Sequence, residues 1–291
     1  MFKYKMKNNP LSEVFGFPII NETEKANRFR TNKLCPFGNI VPNCTKDKAS
    51  DPLGVCSINH GDNHVITCPV RFREDWLIIE EAAKFAFPKG ALWTSLSEIK
   101  LVDSNGQSAG NIDYVIVQYD NQGKIVDFAS IEVQGVYISG NLRNAFSEYM
   151  KEPSSGFLWE GKNYPHPDYL SSSRKRLIPQ MLSKGGIFKA WGKKQCAVLQ
   201  KSFFDTLPAL PTVNPKNADI AWFLYDLIPG EDKMLHLKLV DVIYTEFNAA
   251  LSVVITPKPS DVSMFINVLQ AKLDDKLSSS PDIPKTILND L

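Results

Sequence analysis

The chain has 291 residues, of which 43% are hydrophobic and 22% are charged, and its formal net charge at pH 7 is +1. These values are typical of a globular protein and argue against a disordered chain or a membrane protein. Uninterrupted apolar runs fall short of the roughly 18–20 residues that a bilayer span needs. The basic start MFKYKMKNNPLSEV has no apolar stretch after it. We therefore expect no secretory signal and a cytoplasmic protein.

Charge is distributed unevenly along the chain. Between Tyr169 and Phe204 the sequence has eight Lys or Arg and no acidic residue. From Asp205 to the end, 12 acidic residues accompany 7 basic ones. The basic stretch is either a solvated, lysine-rich surface or a surface that contacts phosphates.

The first part of the chain has few signs of a core. Residues 1–30 are polar and irregular and predict an arm. Residues 31–72 combine four of the five cysteines with Pro, Gly, Asn and Asp, which predicts loops fixed by something other than apolar packing. The segment REDWLIIEEAAKFAF (73–87) has apolar residues at helical spacing and predicts a helix that ends at Pro88 and Gly90.

Strands and helices then alternate in a pattern typical of a mixed α/β protein. Residues 98–138 contain three β-branched runs separated by the turn signals DSNG and DNQGK, which predict a meander. A helix is expected over 171–182, shortened or kinked by Pro179, and a strand over 193–204. The runs IAWFLYDLI and LHLKLVDVIY predict two more strands, and a helix capped by Ser260 is predicted over 260–277.

The cysteines of the first quarter lie within 34 residues, separated by 8, 11 and 11 residues, at Cys35, Cys44, Cys56 and Cys68. Disulfides are rare in the cytosol, so the cluster indicates a closed thiolate site for a structural metal, zinc or iron. The alternative is four separately buried thiols. His60 and His64 lie inside the cluster and are alternative ligands, whereas Cys196 lies in an apolar run typical of a core.

The stretch FASIEVQGVYISG (128–140) has a strand pattern in which Glu132 and Gln134 share one face. Asp113 lies near the start of the preceding strand, GNIDYVIVQYD. If the two strands pair in matching register, both carboxylates converge and supply the hard oxygen ligands that Mg²⁺ prefers. The same pattern also describes a half-exposed hairpin, and a one-residue slip at DNQGK would place Asp113 on the opposite face.

Asp113, a hairpin and then Glu132-Val133-Gln134 resemble the PD-(D/E)xK nuclease core, with Gln in the position of the usual Lys. CPFGN, GVCS and ITCPVRF, followed by SAGNIDYV, IEVQGVYISG and SSRKRL, resemble in particular the NotI-like type II restriction endonucleases, a family that includes NotI and EagI. The resemblance covers about residues 30–205.

This resemblance implies a mixed α/β fold, with a central mixed sheet flanked by helices and an N-terminal metal-binding segment of four cysteines. It implies an arm and four-cysteine segment over 1–72, and a catalytic domain with a C-terminal elaboration over 73–291. Asp113 and Glu132 would bind Mg²⁺, Gln134 would help to position the attacking water, and the four cysteines would hold iron or zinc. Glu98 is a weaker candidate for a further acidic group, or an ordinary surface residue.

In such an enzyme, the basic stretch would contact DNA. The phosphates would be contacted by three residues at a predicted helix start, Arg174, Lys175 and Arg176. Arg71 and Arg73, beside the last cysteine, would reach a groove of GC-rich DNA. The remaining lysines that extend the patch are Lys184, Lys189, Lys193 and Lys194. Each of these residues is equally well explained as a solubilising surface charge.

Together these features predict a Mg²⁺-dependent type II restriction endonuclease that cuts double-stranded DNA at a GC-rich palindrome. The resemblance alone implies a GGCC core within that palindrome. A palindromic site implies a homodimer. The rivals are a metal-stabilised DNA-binding protein without cleavage, and a repair or recombination nuclease that selects DNA structure. The terminal helix is expected to cover its own core rather than to form the dimer interface.

Overall fold

The computed structural model describes residues 9–38, 41–256 and 259–279. They belong to two compact units, one up to Val254 and a second from Ile255. The first unit contains both the cysteine segment and the strands that carry the acidic pair, and the expected division at residue 72 remains a prediction. The first eight residues of the expected arm lie outside the described residues.

The N-terminal region forms a small antiparallel sheet, so the expectation of an irregular arm is wrong for its described part. The sheet has the order β2-β1-β3-β4. Helix α1 follows β2, and the Thr23 hydroxyl accepts a hydrogen bond from the Ala26 N–H at its start. The bounds are β1 (Leu11–Val14), β2 (Phe17–Pro18), α1 (Glu24–Thr31), β3 (Val55–His60) and β4 (Asn63–Ile66).

The helix expected over 73–87 begins later than predicted. A 3₁₀ helix covers Pro69–Trp76, and α2 covers Leu77–Ala86. Asp75 and Trp76 have φ of +48° and +55°, a left-handed conformation that separates the two helices. The buried face of α2 packs on the central sheet.

The predicted meander is confirmed as β5 (Leu92–Val102), β6 (Ser108–Tyr119) and β7 (Ile125–Val133). In each predicted turn, the side chain of an aspartate accepts hydrogen bonds from the backbone of the turn. Asp103 accepts hydrogen bonds of 2.8 Å from two backbone N–H groups of its turn, and Asp120 accepts two of 2.9 Å. Such Asx turns explain why the DSNG and DNQGK signals are informative.

The register between β6 and β7 pairs Tyr114 with Ile131 and Val115 with Ser130. An irregularity between Gln118 and Tyr119 sets this register near the turn. Because side chains alternate along a strand, Asp113 and Glu132 lie on the same face. The one-residue slip that would have separated them does not occur.

A continuous helical segment follows the two-stranded ribbon of β8 (Ile138–Ser139) and β9 (His166–Pro167), with α3 (Leu142–Lys151) between them. The segment consists of α4 (Tyr169–Ser172), a π-helical turn (Ser173–Leu177) and α5 (Ile178–Ala190). It is longer than the predicted 171–182, because Asp168 caps it through the Ser171 N–H and Pro179 lies in the first turn of α5.

The central sheet has the order β12-β11-β10-β7-β6-β5, and β10 runs parallel to both β7 and β11. The strand expected over 193–204 is shorter, since Lys201–Phe204 form the helix α6. Helices α2 and α5 cover opposite faces, which confirms a mixed α/β fold with a central mixed sheet. The last elements of this unit are β10 (Gln195–Gln200), β11 (Ile220–Pro229), β12 (Leu235–Thr245) and α7 (Phe247–Ile255).

The second unit contains the predicted terminal helix, α8 (Val262–Ser279). Asp261, not Ser260, accepts the hydrogen bond from the Ser263 N–H at its start. Val262, Phe265 and Leu277 are 69%, 60% and 66% exposed, and the expectation that this helix covers a core remains a prediction. No helix in the described residues combines the length and apolar character needed to cross a bilayer.

Candidate active site and cysteine cluster

Two acidic side chains meet where β6 and β7 diverge. The Asp113 carboxylate accepts a 2.8 Å hydrogen bond from the Val133 N–H, directly after Glu132. Burial and, after it, the negative charge of Asp113 raise the pKa of Glu132 to about 7, although Lys184 opposes the shift. Burial also raises the pKa of Asp113. A cation would relieve the repulsion between the buried Glu132 carboxylate and the half-buried Asp113 carboxylate, so the predicted pair fits a Mg²⁺ site.

A lysine that the sequence did not single out for this site completes the cluster. Lys184 of α5 places its Nζ atom 3.0 and 2.9 Å from the two carboxylate oxygens of Glu132. The side chains of Lys184 and Glu132 are only 10% and 7% exposed. The assignment of Lys184 to a phosphate-binding surface patch is therefore wrong.

Gln134 follows β7 directly and is 8% exposed. Its side-chain amide donates a 2.6 Å hydrogen bond to the Gly135 carbonyl, and its backbone N–H donates to the Val198 carbonyl. The amide nitrogen is thus committed to the neighbouring backbone. Gln134 brings no charge to the acidic pair.

Glu98 lies on β5 opposite Asp113. The register is continuous on either side of it, since Ser97 pairs with Tyr114 and Ile99 with Ile112. Its φ is +55°, a left-handed conformation that costs a non-glycine residue energy. Glu98 also contributes to the raised pKa of Asp113, after burial as the main cause. The structure therefore places a third acidic side chain next to the pair.

A cleft of about 230 Å³ opens beside Glu98, between the central sheet and the cysteine segment. Arg73 lines it, with its guanidinium carbon 5.5 Å from the centre of the Tyr114 ring. Arg71 does not reach it, because Arg71 is fully buried and forms ion pairs with Glu13 at 3.0 Å and Glu74 at 2.7 Å. The expectation that Arg71 contacts DNA is wrong, whereas Arg73 remains a candidate.

The four clustered cysteines surround one small cavity of about 10 Å³, room for about one atom or ion. All are free thiols, on a loop (Cys35, Cys44), on β3 (Cys56) and before the 3₁₀ helix (Cys68). Burial raises the pKa of Cys35 to about 11, although the N–H groups of Phe37 and Gly38 donate to its sulfur and oppose this effect. Such N–H donors are what a bound thiolate needs.

The described cysteine side chains are not arranged as a metal site. Among the residues 9–38, 41–256 and 259–279, no three His, Cys, Asp or Glu side chains are arranged to hold an ion. The histidines do not line the cysteine cavity. His64 is instead 2.9 Å from the Ser12 hydroxyl and 3.2 Å from the side-chain oxygen of Asn59. Cys196 is a buried core residue, as predicted.

Most lysines of the basic stretch have partners within the protein. Lys189 pairs with Asp219 at 2.8 Å and Lys193 with Asp127 at 2.6 Å. Lys194 donates to the Ala218 carbonyl. Arg174, Lys175 and Arg176 are exposed, but they lie in the π-helical turn rather than at a free helix start.

Comparison with known families places these features in context. The sequence profile described as "Restriction endonuclease NotI" matches residues 13–237. The chain belongs to the NotI restriction endonuclease family. The NotI match includes the cysteine cluster, the acidic pair and Lys184, and it ends near the start of β12. Membership in the NotI family makes the protein a site-specific deoxyribonuclease with double-stranded DNA as its substrate. A search of curated proteins returns no significant match.

Proposed function

We propose that this protein is a Mg²⁺-dependent type II restriction endonuclease with a PD-(D/E)xK core, which cuts a GC-rich palindrome. The observation that carries the proposal is the pair of the half-buried Asp113 and the buried Glu132, held on one sheet face of a NotI-family chain. A GGCC core within the site is proposed from the family resemblance alone.

Asp113 and Glu132 are the proposed ligands of the ion, with Glu98 as a third acid within reach of Asp113. A bound Mg²⁺ lowers the pKa of water and stabilises negative charge on the scissile phosphate. Gln134 helps to position the attacking water but serves neither as a base nor as a cation. The carboxylates orient the site and remain ionised while the ion is bound.

The cysteine cluster is proposed to hold one structural iron or zinc ion. Four thiolates leave no open coordination position, so this metal organises the backbone and does not react. The cluster lies against the catalytic strand, because the Val136 N–H donates to the Ile66 carbonyl and Gly135 approaches the Thr67 carbonyl. A metal here would fix the wall of the cleft that Arg73 lines.

Two surfaces are proposed to hold DNA. Arg174, Lys175 and Arg176 would contact phosphates, and Arg73 would face a groove. A palindrome cut on both strands fits a two-fold homodimer, in which each protomer supplies one acidic pair. Placing two acidic side chains side by side away from solvent raises the free energy of the folded state, and a solvent-exposed hairpin would not require it. This arrangement therefore favours phosphodiester hydrolysis over DNA binding alone.

The test is cleavage of a complex DNA mixture with Mg²⁺, followed by sequencing of the ends, with Glu132→Ala in parallel. We expect ends that share one GC-rich palindrome, and no cleavage by the variant. Lys151→Ala, which removes an exposed lysine paired with Glu148, is the control and should cleave normally. Intact DNA would favour a binding protein, and ends without a common sequence would favour a structure-selective nuclease.

A further inference from the structure

The site contains a positively charged side chain that does not belong to either of the strands carrying the acidic pair. In the PD-(D/E)xK pattern a lysine lies two residues after the second acid, and this chain has Gln134 there. A neutral amide cannot stabilise negative charge on a phosphate as a cation does. Lys184 reaches the same acid from α5, 52 residues further along the chain.

We propose that Lys184 is the cationic residue of the cleavage site, because its ammonium group bridges both oxygens of Glu132 on the face shared with Asp113. Lys184 acts first as a positioning residue, since it orients the Glu132 carboxylate. It also provides the fixed positive charge that position 134 lacks. This inference rests on the proposed role of Asp113 and Glu132.

The surroundings of Lys184 hold the ammonium group in one place. Its third contact is a hydrogen bond to the Asn111 carbonyl, two residues before Asp113. The side chain runs past Gly110, where an added Cβ atom would come within 3.3 Å of the Lys184 Cε atom. A glycine therefore leaves room for the stem of the lysine.

Helix α5 is itself fixed next to this residue. The Gln195 side chain, which is 4% exposed, donates a 2.9 Å hydrogen bond to the Gly185 carbonyl. Phe188 packs under the sheet against Phe128 and is 1% exposed. The ammonium group is thus preorganised by packing and hydrogen bonds, which is what electrostatic stabilisation of a transition state requires.

A surface role does not explain these contacts. Burying a lysine is costly unless it is paired and hydrogen-bonded, and here both oxygens of an acid and one carbonyl meet it. A chain that needed only a stable fold would be served by an apolar residue at this position. A buried, charged pair at the edge of a nuclease site instead indicates a functional constraint.

The test is single-turnover cleavage by Lys184→Met at saturating Mg²⁺, on DNA that contains the site found by end sequencing. Methionine keeps the length of the stem and removes the charge. We expect a cleavage rate about 10²–10³-fold lower, as for the loss of one preorganised electrostatic group. DNA affinity, measured with Ca²⁺ in place of Mg²⁺, should be unchanged. Lys184→Arg, which keeps the charge, should retain more activity than Lys184→Met.

Lys84→Met is the matched control, because it breaks an exposed lysine–glutamate pair on α2 and should cleave at the wild-type rate. Wild-type cleavage by Lys184→Met at saturating Mg²⁺ would overturn the proposal, since Lys184 would then only neutralise Glu132 before the ion binds. Lys184→Gln keeps a donor for the Asn111 carbonyl and tests folding. If both neutral variants fail to fold in urea titrations, Lys184 is a stability residue and the proposal is wrong.

These outcomes are separate from a failure of the proposed function. If Asp113 and Glu132 do not form the active site, Glu132→Ala cleaves like wild type. If only the inference about Lys184 fails, Glu132→Ala is inactive and Lys184→Met is fully active. The full-length protein is used throughout.

Discussion

At the residue scale, the Glu132 carboxyl group makes stability depend on pH. Burial and the neighbouring Asp113 raise its pKa from an ordinary value near 4.5 to about 7, although Lys184 opposes the shift. Between these two pH values the folded protein binds more protons at this position than the unfolded chain. The free energy of unfolding therefore falls as the pH rises from about 5 to 8.

Glu132→Gln tests this effect because glutamine resembles the protonated acid at every pH. The variant should match wild type near pH 5 and exceed its free energy of unfolding at pH 8 by up to about 3 kcal/mol. Urea titrations in the presence of a chelator measure the difference. Glu148→Gln, at an exposed pair with Lys151, is the control and should show no such change between the two pH values. If the free energy of unfolding of wild type exceeded that of the variant at pH 8, the attribution of a raised pKa to Glu132 would be wrong.

The buried Arg71 shows why charge alone is a poor guide to a DNA contact. Its guanidinium group pairs with Glu13 and Glu74 and donates a 2.7 Å hydrogen bond to the Leu235 carbonyl. Its neighbour Arg73, two positions further on, lines the cleft. Sequence cannot separate the two, because two of the partners of Arg71, Glu13 and the Leu235 carbonyl, come from the distant strands β1 and β12.

At the scale of elements, the helical segment 169–190 presents the exposed cations of the basic stretch. Arg174, Lys175 and Arg176 occupy its π-helical turn, and Arg176 lies 5.2 Å from the centre of the Tyr137 ring. Lys184 of the same segment faces the acidic pair. One element would therefore contact the DNA backbone and supply the cation of the site.

Replacing Arg174, Lys175 and Arg176 by alanine should weaken DNA binding about equally for all sequences. Each phosphate contact contributes about 0.9 to the slope of log K against log salt, so the slope should fall by up to about 3. Binding titrations at several salt concentrations measure it, and the position of the cut should not move. The control replaces three exposed lysines, Lys216, Lys233 and Lys238. An equal loss of slope in the control would show a non-specific charge effect.

Local sequence signals predicted the elements, and long-range contacts determined the site. The meander was predictable because its two turns begin with Asp103 and Asp120, whose side chains close them. The register of Asp113 was not, because it depends on an irregularity between Gln118 and Tyr119, beside the turn, that the turn sequence does not specify. The contact of Lys184 with Glu132 joins residues from different elements, and a buried lysine looks like any other in a basic stretch.

At the scale of the whole molecule, the cysteine cluster connects the N-terminal sheet to the proposed cleavage site. Cys56 lies on β3, and Cys68 precedes the 3₁₀ helix that leads to Arg73. Lys46, whose ammonium group donates a 2.6 Å hydrogen bond to the Val55 carbonyl, lines the cavity with the four thiols. A cation at this position would favour thiolates and therefore the binding of a metal.

The purified protein should contain one iron or zinc ion per chain. Cys56→Ser should lose most of this metal, because serine is a poor ligand for a soft thiolate site, and should unfold at a lower temperature. Elemental analysis and thermal denaturation measure the two effects. Cys196→Ala is the matched control, since Cys196 is a buried core cysteine outside the cluster and its loss should leave the metal in place.

The effect on cleavage distinguishes two roles of this metal. If the ion fixes the wall of the cleft, Cys56→Ser should bind its DNA more weakly even at temperatures where it is folded. The Asp113–Glu132 pair lies on a different sheet, so the rate of cleavage of bound DNA should fall less than the affinity. A variant that binds DNA normally but cleaves slowly would instead place the metal in the chemistry, against the closed coordination that four thiolates impose.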